Sequence, residues 1–252
     1  QHALSATVPN RRQWLRMAAG TGVAAAGLAL VPEARLFAQQ VQEFIEGPPV
    51  PDVKPEQLSP HVWMVYAKEG FPTAENQGLM ASVIFVVTQK GVVVLDSGAS
   101  LQIGQMAIRM IRTVTPKPVI AVFNSHYHGD HWLGNHAFAE AFGKDLPIHA
   151  LAYTREQIAG HEGSTWRSLM ERWTNQATLG TKVVAPNKTV EHGQVFDYGD
   201  VQIRLHHYGR AHTPSDLCFE IVQDKLTYVG DIAMENRIAN IDDGSYLSLI
   251  HI

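Results

Sequence analysis

Three histidines and an aspartate stand within six residues of "NSHYHGDHWLGN": His126, His128, Asp130 and His131. Imidazole nitrogens suit zinc and carboxylates add charge, so a cluster of this composition is a candidate metal site. In an extended segment side chains two apart point the same way. His126, His128 and Asp130 are spaced by two, so an extended backbone after Asn124 turns all three to one side. His131 then starts the following helix and reaches a neighbouring point. One ion does not readily take four ligands from so short a segment, whereas two ions close together do, and such a pair can hold both attacking and leaving oxygens.

A metal site also needs ligands from elsewhere in the chain. "GRAHTPSDL" supplies His212 in a loop between two expected strands, and "TYVGDIAM" supplies Asp231 where another strand ends. The other histidines read as surface or hydrogen-bonded residues: His136, His149, His161, His192, His206 and His207. Of the adjacent pair His206 and His207, at most one can face a site. Trp132, Trp166 and Trp173 read as packing residues, with Trp132 placed to line the cleft.

The elements that position these residues follow from hydrophobic patterning. "HVWMVYA", "ASVIFVVT", "GVVVLDSGAS" and "KPVIAVFNS" read as strands, rich in β-branched and aromatic residues. "LQIGQMAIRMIRTV" has Ile103, Met106, Ala107, Met110, Ile111 and Val114 at helical spacing. "GNHAFAEAF" and a stretch from Thr154 to Gln176 read as helix. "TVEHGQVFDYG", "DVQIRLHHYG", "DLCFEIVQD" and "KLTYVGD" return to strand. Alternating strands and helices with hairpins between them imply two sheets packed face to face, helices outside.

Bulk properties narrow the function. The 252 residues are 45% hydrophobic with a net charge of −4, so a packed core is expected and no basic field points to nucleic acid. The single cysteine, Cys218, excludes an internal disulfide and a thiolate zinc cage. The N-terminus carries Arg11, Arg12 and Arg16 before an uncharged, glycine-containing run from Met17 to Pro32. That run is too short and too weakly apolar for a stable membrane span. It reads as an export signal over residues 1–38, of the twin-arginine type, which implies the twin-arginine machinery as a partner and a periplasmic location. Residues 39–60, rich in proline, read as a linker, with the folded domain over 61–246.

"HYHGDH", "AHTPSD", "YVGD" and "VVVLDSG", in that order, resemble the metallo-β-lactamase superfamily from about His61 to Asp231. "DHWLGNHAF" and the Asp231 position resemble its exported glyoxalase-II-like members linked to sulfur oxidation or quinoprotein systems. The resemblance implies an α/β (α+β) fold, a four-layer αβ/βα sandwich. It implies a first metal on His126, His128 and His212, a second on Asp130 and His131, Asp231 between them, and Asp96 ordering the histidine loop from outside. One or two zinc ions are expected, with iron as the alternative. The implied chemistry is hydrolysis of an amide, lactam, ester or thioester in a small-molecule substrate by a metal-bound hydroxide, with Asp130 orienting it and shuttling its proton. A mononuclear iron branch that oxidises persulfides uses His126, His212 and Asp231, all present. The diiron electron-transfer branch places Glu at the His128 position, which disfavours it. The family has one further histidine beyond the Asp231 position. His251, in "LSLIHI", is not taken for it, because residues 247–252 read as a non-native tail, leaving the second half of the fold short of its last part. A truncated metal-binding fold without turnover is therefore the third reading. Substrate identity and oligomeric state are not legible.

Overall fold

The computed structural model describes residues 45–68, 70–233 and 243–245. The chain divides into two units, 1–45 and 46–252, and the second carries the fold. The expected export signal at 1–38, the tail at 247–252 and His251 lie outside the described residues.

Two sheets make the sandwich. The larger has seven strands in chain order: β1 (Glu56–Gln57), β2 (Val62–Val65), β3 (Val83–Val87), β4 (Val92–Leu95), β5 (Val119–Phe123), β6 (Ile148–Leu151) and β7 (Lys188–Val190). Strands β1 to β4 pair antiparallel, and β4 to β7 pair parallel. The smaller sheet is an antiparallel meander of β8 (Val195–Asp197), β9 (Gln202–His206), β10 (Cys218–Ile221) and β11 (Leu226–Tyr228).

The period of two along the central strands sorts side chains between two cores. Val83, Phe85, Val92, Val94 and Val122 face a helical layer. There they meet helix α1 (Leu101–Val114), the short α2 (Gly129–Trp132), α3 (Asn135–Phe142), α4 (Ala152–Ala159) and α5 (His161–Trp173). Ile84, Val86, Val93, Leu95, Ala121 and Phe123 face the other way, onto Ile203, Leu205, Phe219 and Ile221 of the small sheet. The mixed α/β sandwich read from the sequence is thus observed, with helices, large sheet and small sheet as successive layers. A polar clamp adds to the apolar one: His61 Nδ1 lies 2.6 Å from Asp224 Oδ1, joining the start of β2 to the β10–β11 turn.

Helix α1 follows the expected pattern. Ile103, Met106, Ala107, Met110 and Ile111 are buried, and the Ser100 hydroxyl caps the first turn by accepting from Ile103 N at 3.1 Å. It ends at Thr115, held extended because Pro116 follows.

Four features differ from the sequence reading. Residues 46–60, read as linker from their prolines, pack on the domain: Val50 is buried, Gly47 N donates to Leu179 O at 2.9 Å, and Arg109 Nη2 meets Asp52 Oδ1 at 2.7 Å. Prolines are compatible with an edge strand, which is what β1 is. Strand β6 was not anticipated, because "IHAL" is short, has one β-branched residue and runs straight into α4. "TVEHGQVFDYG" is not one strand but two in different sheets, and the turn at 191–194 is where the chain changes sheet. The helical stretch from Thr154 is broken at Gly160 into α4 and α5.

One histidine of the sandwich interior has a consequence for stability. His149 stacks on Phe123 with ring centroids 4.5 Å apart, lies 5.0 Å from Phe196, and has no partner for Nδ1. Burial, and then the charge of Lys188, pull its pKa from 6.5 to about 4. The folded state therefore favours the neutral ring, so its contribution is complete above pH 6.5 and is lost as pH falls through 4. His149→Phe is expected to flatten the pH dependence of unfolding free energy in that window by about 2 kcal/mol, after allowance for partial solvent screening. Urea unfolding of both proteins across the window checks this.

Candidate metal centre

The site forms at one end of the sandwich, where the carboxyl ends of β4, β5 and β11 and the β9–β10 loop meet. Its foundation is Asp96, directly after β4. This residue adopts φ 59°, the left-handed region, and is completely buried. That conformation costs about 1 kcal/mol or more for a residue with a Cβ. Four hydrogen bonds outweigh the strain. Oδ1 accepts from Ser125 N at 2.7 Å, and Oδ2 lies 2.7 Å from Ser125 Oγ, His131 Nδ1 and the Tyr228 hydroxyl. Burial, and then the charge of Asp96, push the Tyr228 phenol well above its ordinary range, so it acts as donor.

The histidine loop is docked beside this carboxylate backbone to backbone. Ser97 N donates to His131 O and Gly134 N to Gly98 O, both at 2.8 Å. The approach requires glycine at 134, where an added Cβ would lie 2.0 Å from Ser97 O. Asn135 Nδ2 donates to Asn124 Oδ1 at 2.8 Å, closing the base of the loop.

The loop does not stay extended as far as expected. Ser125–Tyr127 bend, His128 is the last extended residue (φ −70°, ψ 138°), and α2 begins at Gly129. Asp130 and His131 therefore both project from the first turn of a helix. Convergence comes from this bend-to-helix transition, docked on the 96–98 turn, and not from strand alternation.

Two groups of side chains present ligand atoms within 4.8 Å of one another: His126, His128 and His212, and His126, His131 and Asp231. His212 Nε2 is 3.0 Å from His128 Nδ1 and 3.7 Å from Asp231 Oδ2. His131 Nε2 is 3.3 Å from both Asp130 Oδ2 and Asp231 Oδ1, without hydrogen-bond alignment. All the residues read from the sequence as site residues thus come together: His126, His128, Asp130, His131, His212, Asp231 and, beneath them, Asp96.

Orientation and charge fit a cation. His126 Nδ1 faces Ser125 Oγ at 3.0 Å, which leaves Nε2 buried and without a hydrogen-bond partner. His131 is turned the same way, Nδ1 on Asp96 and Nε2 into the site. Buried polar atoms are rarely left unpaired without a functional cause. Burial, and then the charges of His131, His128 and His212, hold the His126 pKa well below the usual imidazole range. For His131 burial pulls downward, but Asp130, Asp231 and Asp96 together hold it well above that range. A proton on His131 thus balances the carboxylates, and a bound cation can take its place.

Several contributors were missed in the sequence. Ser125 bridges Asp96 and His126, and Tyr228 reaches Asp96 from β11. Asp243 Oδ2 lies 3.0 Å from His128 Nε2. Trp166, read as packing, sets its ring 4.8 Å from that of His128. Trp132, read as a packing residue, is fully buried in the helical core with Nε1 donating to Tyr127 O at 2.8 Å, and does not line the cleft. His206 turns to the outer face, where Nε2 meets Glu220 Oε2 at 2.8 Å, and His207 Nδ1 donates to Asp216 O at 2.8 Å.

Comparison with known proteins agrees with this geometry. The model of the metallo-beta-lactamase superfamily matches residues 76–251. The chain belongs to that superfamily. Among solved structures it is similar to the metallo-beta-lactamase IND-7, at 18% identity and TM-score 0.55 over 81% of this chain and 80% of that one. A metallo-beta-lactamase from Pontibacter korlensis gives 18% identity and TM-score 0.56 over 78% of this chain and 80% of that one. A double mutant of the sec-alkyl sulfatase PisA1 gives 17% identity and TM-score 0.59, covering 79% of this chain and 35% of that one. At these identities the likeness is one of fold. No curated protein matches.

The dependence on Asp96 is testable. Asp96→Ala leaves His131 Nδ1, the Tyr228 hydroxyl and the Ser125 N–H and hydroxyl without their acceptor. It is expected to lower the unfolding free energy of the metal-free protein by about 3 kcal/mol or more, measured by urea denaturation.

Proposed function

We propose that the chain is an exported zinc-dependent hydrolase that cleaves an amide or lactam, ester or thioester bond in a small molecule. The observation that carries this reading is the pair of buried ligand groups sharing His126. His126, His128 and His212 would hold one ion, Asp130 and His131 a second, with Asp231 between the two. The all-nitrogen donor set of the first group, three imidazoles with no thiolate, is one that zinc takes. When bound, zinc supplies Lewis acidity and brings the pKa of water toward 7.

The chain's own residues do the rest. Asp130, buried at the site floor beside His131 Nε2, orients the attacking water and takes its proton. Asp96 fixes the His131 ring through Nδ1, and Ser125 passes the same restraint to His126. The rings of Trp166 and Tyr127 flank His128 at 4.8 and 5.2 Å and bound the site on that side.

Metal analysis of protein purified without added metal tests the choice of ion. Zinc is expected, whereas iron would instead support persulfide oxidation at His126, His212 and Asp231. His126→Ala removes a ligand of the first ion, so it is expected to abolish zinc binding there and turnover in a panel of β-lactam, ester and thioester substrates. Unchanged activity would refute the assignment, and zinc binding without turnover on any of them would favour a metal-binding fold alone.

Export rests on the N-terminal pattern of Arg11, Arg12 and the apolar run after Arg16. Replacing Arg11 and Arg12 by Lys in the full chain is expected to leave the protein in the cytoplasm, read by cell fractionation.

A further inference from the structure

A histidine that offers Nδ1 to an ion has to keep its proton on Nε2. His128 is turned in that sense and His126 in the opposite one. His128 Nδ1 points into the ligand group, 3.0 Å from His212 Nε2, and its Nε2 lies 3.0 Å from Asp243 Oδ2. In metal centres of this kind the carboxylate on the far nitrogen fixes both ring orientation and tautomer. Asp96 does this for His131 from within the core. For His128 the corresponding group comes from a segment beyond the last recognisable motif.

That segment, residues 243–245, is fastened to the loop carrying His212. Arg210 Nε donates to Asp243 O at 3.0 Å, and Ser245 N donates to Ala211 O at 2.7 Å. Gly244 lies so close to that loop that an added Cβ would stand 2.2 Å from Ala211 O and 2.6 Å from His212 O. Asp243 is thereby set between a fixed backbone on one side and His128 on the other, with the Tyr127 hydroxyl as a further hydrogen-bonding neighbour.

We propose that Asp243 is a positioning residue of the metal centre, holding His128 as the Nε2–H tautomer so that Nδ1 faces the ion. The proposal rests on the reading of His126, His128 and His212 as ligands. It also gives residues 243–245 a place in the centre: they supply a carboxylate to a ligand of the first ion.

Two measurements test it. In the metal-free chain, nitrogen NMR of the His128 ring is expected to show the Nε2–H tautomer, and Asp243→Ala is expected to shift the ring toward a tautomer mixture. Zinc affinity by chelator competition is expected to fall about tenfold in Asp243→Ala, the lower end of the range for such contacts because Asp243 is half exposed. Asp243→Asn, which keeps an acceptor oxygen, is expected to recover most of that loss. Thermal unfolding of the metal-free variants is expected to match that of the unsubstituted chain, which separates ring positioning from a change in fold. Equal zinc affinity and an unchanged tautomer in Asp243→Ala would overturn the role of Asp243 alone. Failure of the unsubstituted chain to bind zinc would overturn the metal reading, and this role with it.

Discussion

The carboxylate of Asp96 is the fixed point of this molecule. A buried charge is tolerated only where hydrogen bonds replace the lost water. Asp96 has four such bonds, and each donor belongs to a different part of the site or its support: the Ser125 backbone, the Ser125 hydroxyl, His131 and Tyr228. The left-handed backbone at Asp96 turns the chain off β4, so that the side chain can lie under the neighbouring strand end. Strain of about 1 kcal/mol is small beside charge-assisted hydrogen bonds worth about 1.5–3 kcal/mol each. The balance explains why a residue with a carboxyl, and not a glycine, occupies a left-handed position.

From that point the ligand arrangement follows by short steps. Asp96 orients His131 directly and His126 through Ser125, so both rings present Nε2 to the same space. The result is electrostatically divided. His126 is held neutral by burial and its imidazole neighbours, while His131, faced by Asp130 and Asp231, is held protonated. A cation between them relieves both conditions, giving the lone pair of His126 a partner and the carboxylates a charge that the His131 proton otherwise supplies. Placement at the carboxyl ends of the central strands is the usual consequence of α/β topology, because loops there converge over the crevice.

Much of this was legible in "NSHYHGDHWLGN", "AHTPSD" and "YVGD", because metal ligands must be particular residue types and cannot hide among apolar neighbours. The continuous apolar runs of β3, β4 and β5 were equally open, since a strand buried on both faces admits little else. What escaped notice did so for identifiable reasons. The spacing of His126, His128 and Asp130 points to a strand, whereas α2 begins at Gly129 and it is the docking of the loop on the 96–98 turn, a contact between distant segments, that brings the side chains together. Tyr228, Trp166 and Asp243 act through contacts with residues tens of positions away, which nothing next to them in sequence shows. The proline-rich stretch before β2 looks like a linker locally, and its partners, Leu179, Arg109 of α1 and the edge of the large sheet, are all distant in sequence.

The origin of the ligands ties the centre to the stability of the fold. His126, His128, Asp130 and His131 follow β5 of the large sheet, whereas His212 and Asp231 stand at the ends of strands in the small one. The two sheets are joined by the interdigitated apolar layer around Phe123 and Phe219 and by polar contacts that include the His61–Asp224 pair and the Tyr228–Asp96 hydrogen bond. An ion coordinated from both sides would be a further crosslink between the sheets, at the end of the sandwich where the central strands finish. Without it, Asp130 and Asp231 are bridged only by His131, which stands between them at 3.3 Å from each. Because such an ion binds the assembled sandwich and not the open chain, its affinity adds to folding free energy by mass action. The same argument makes the centre sensitive to distant packing. His212 and His128 are carried by different sheets and stand 3.0 Å apart, so a shift of one sheet against the other changes that distance directly.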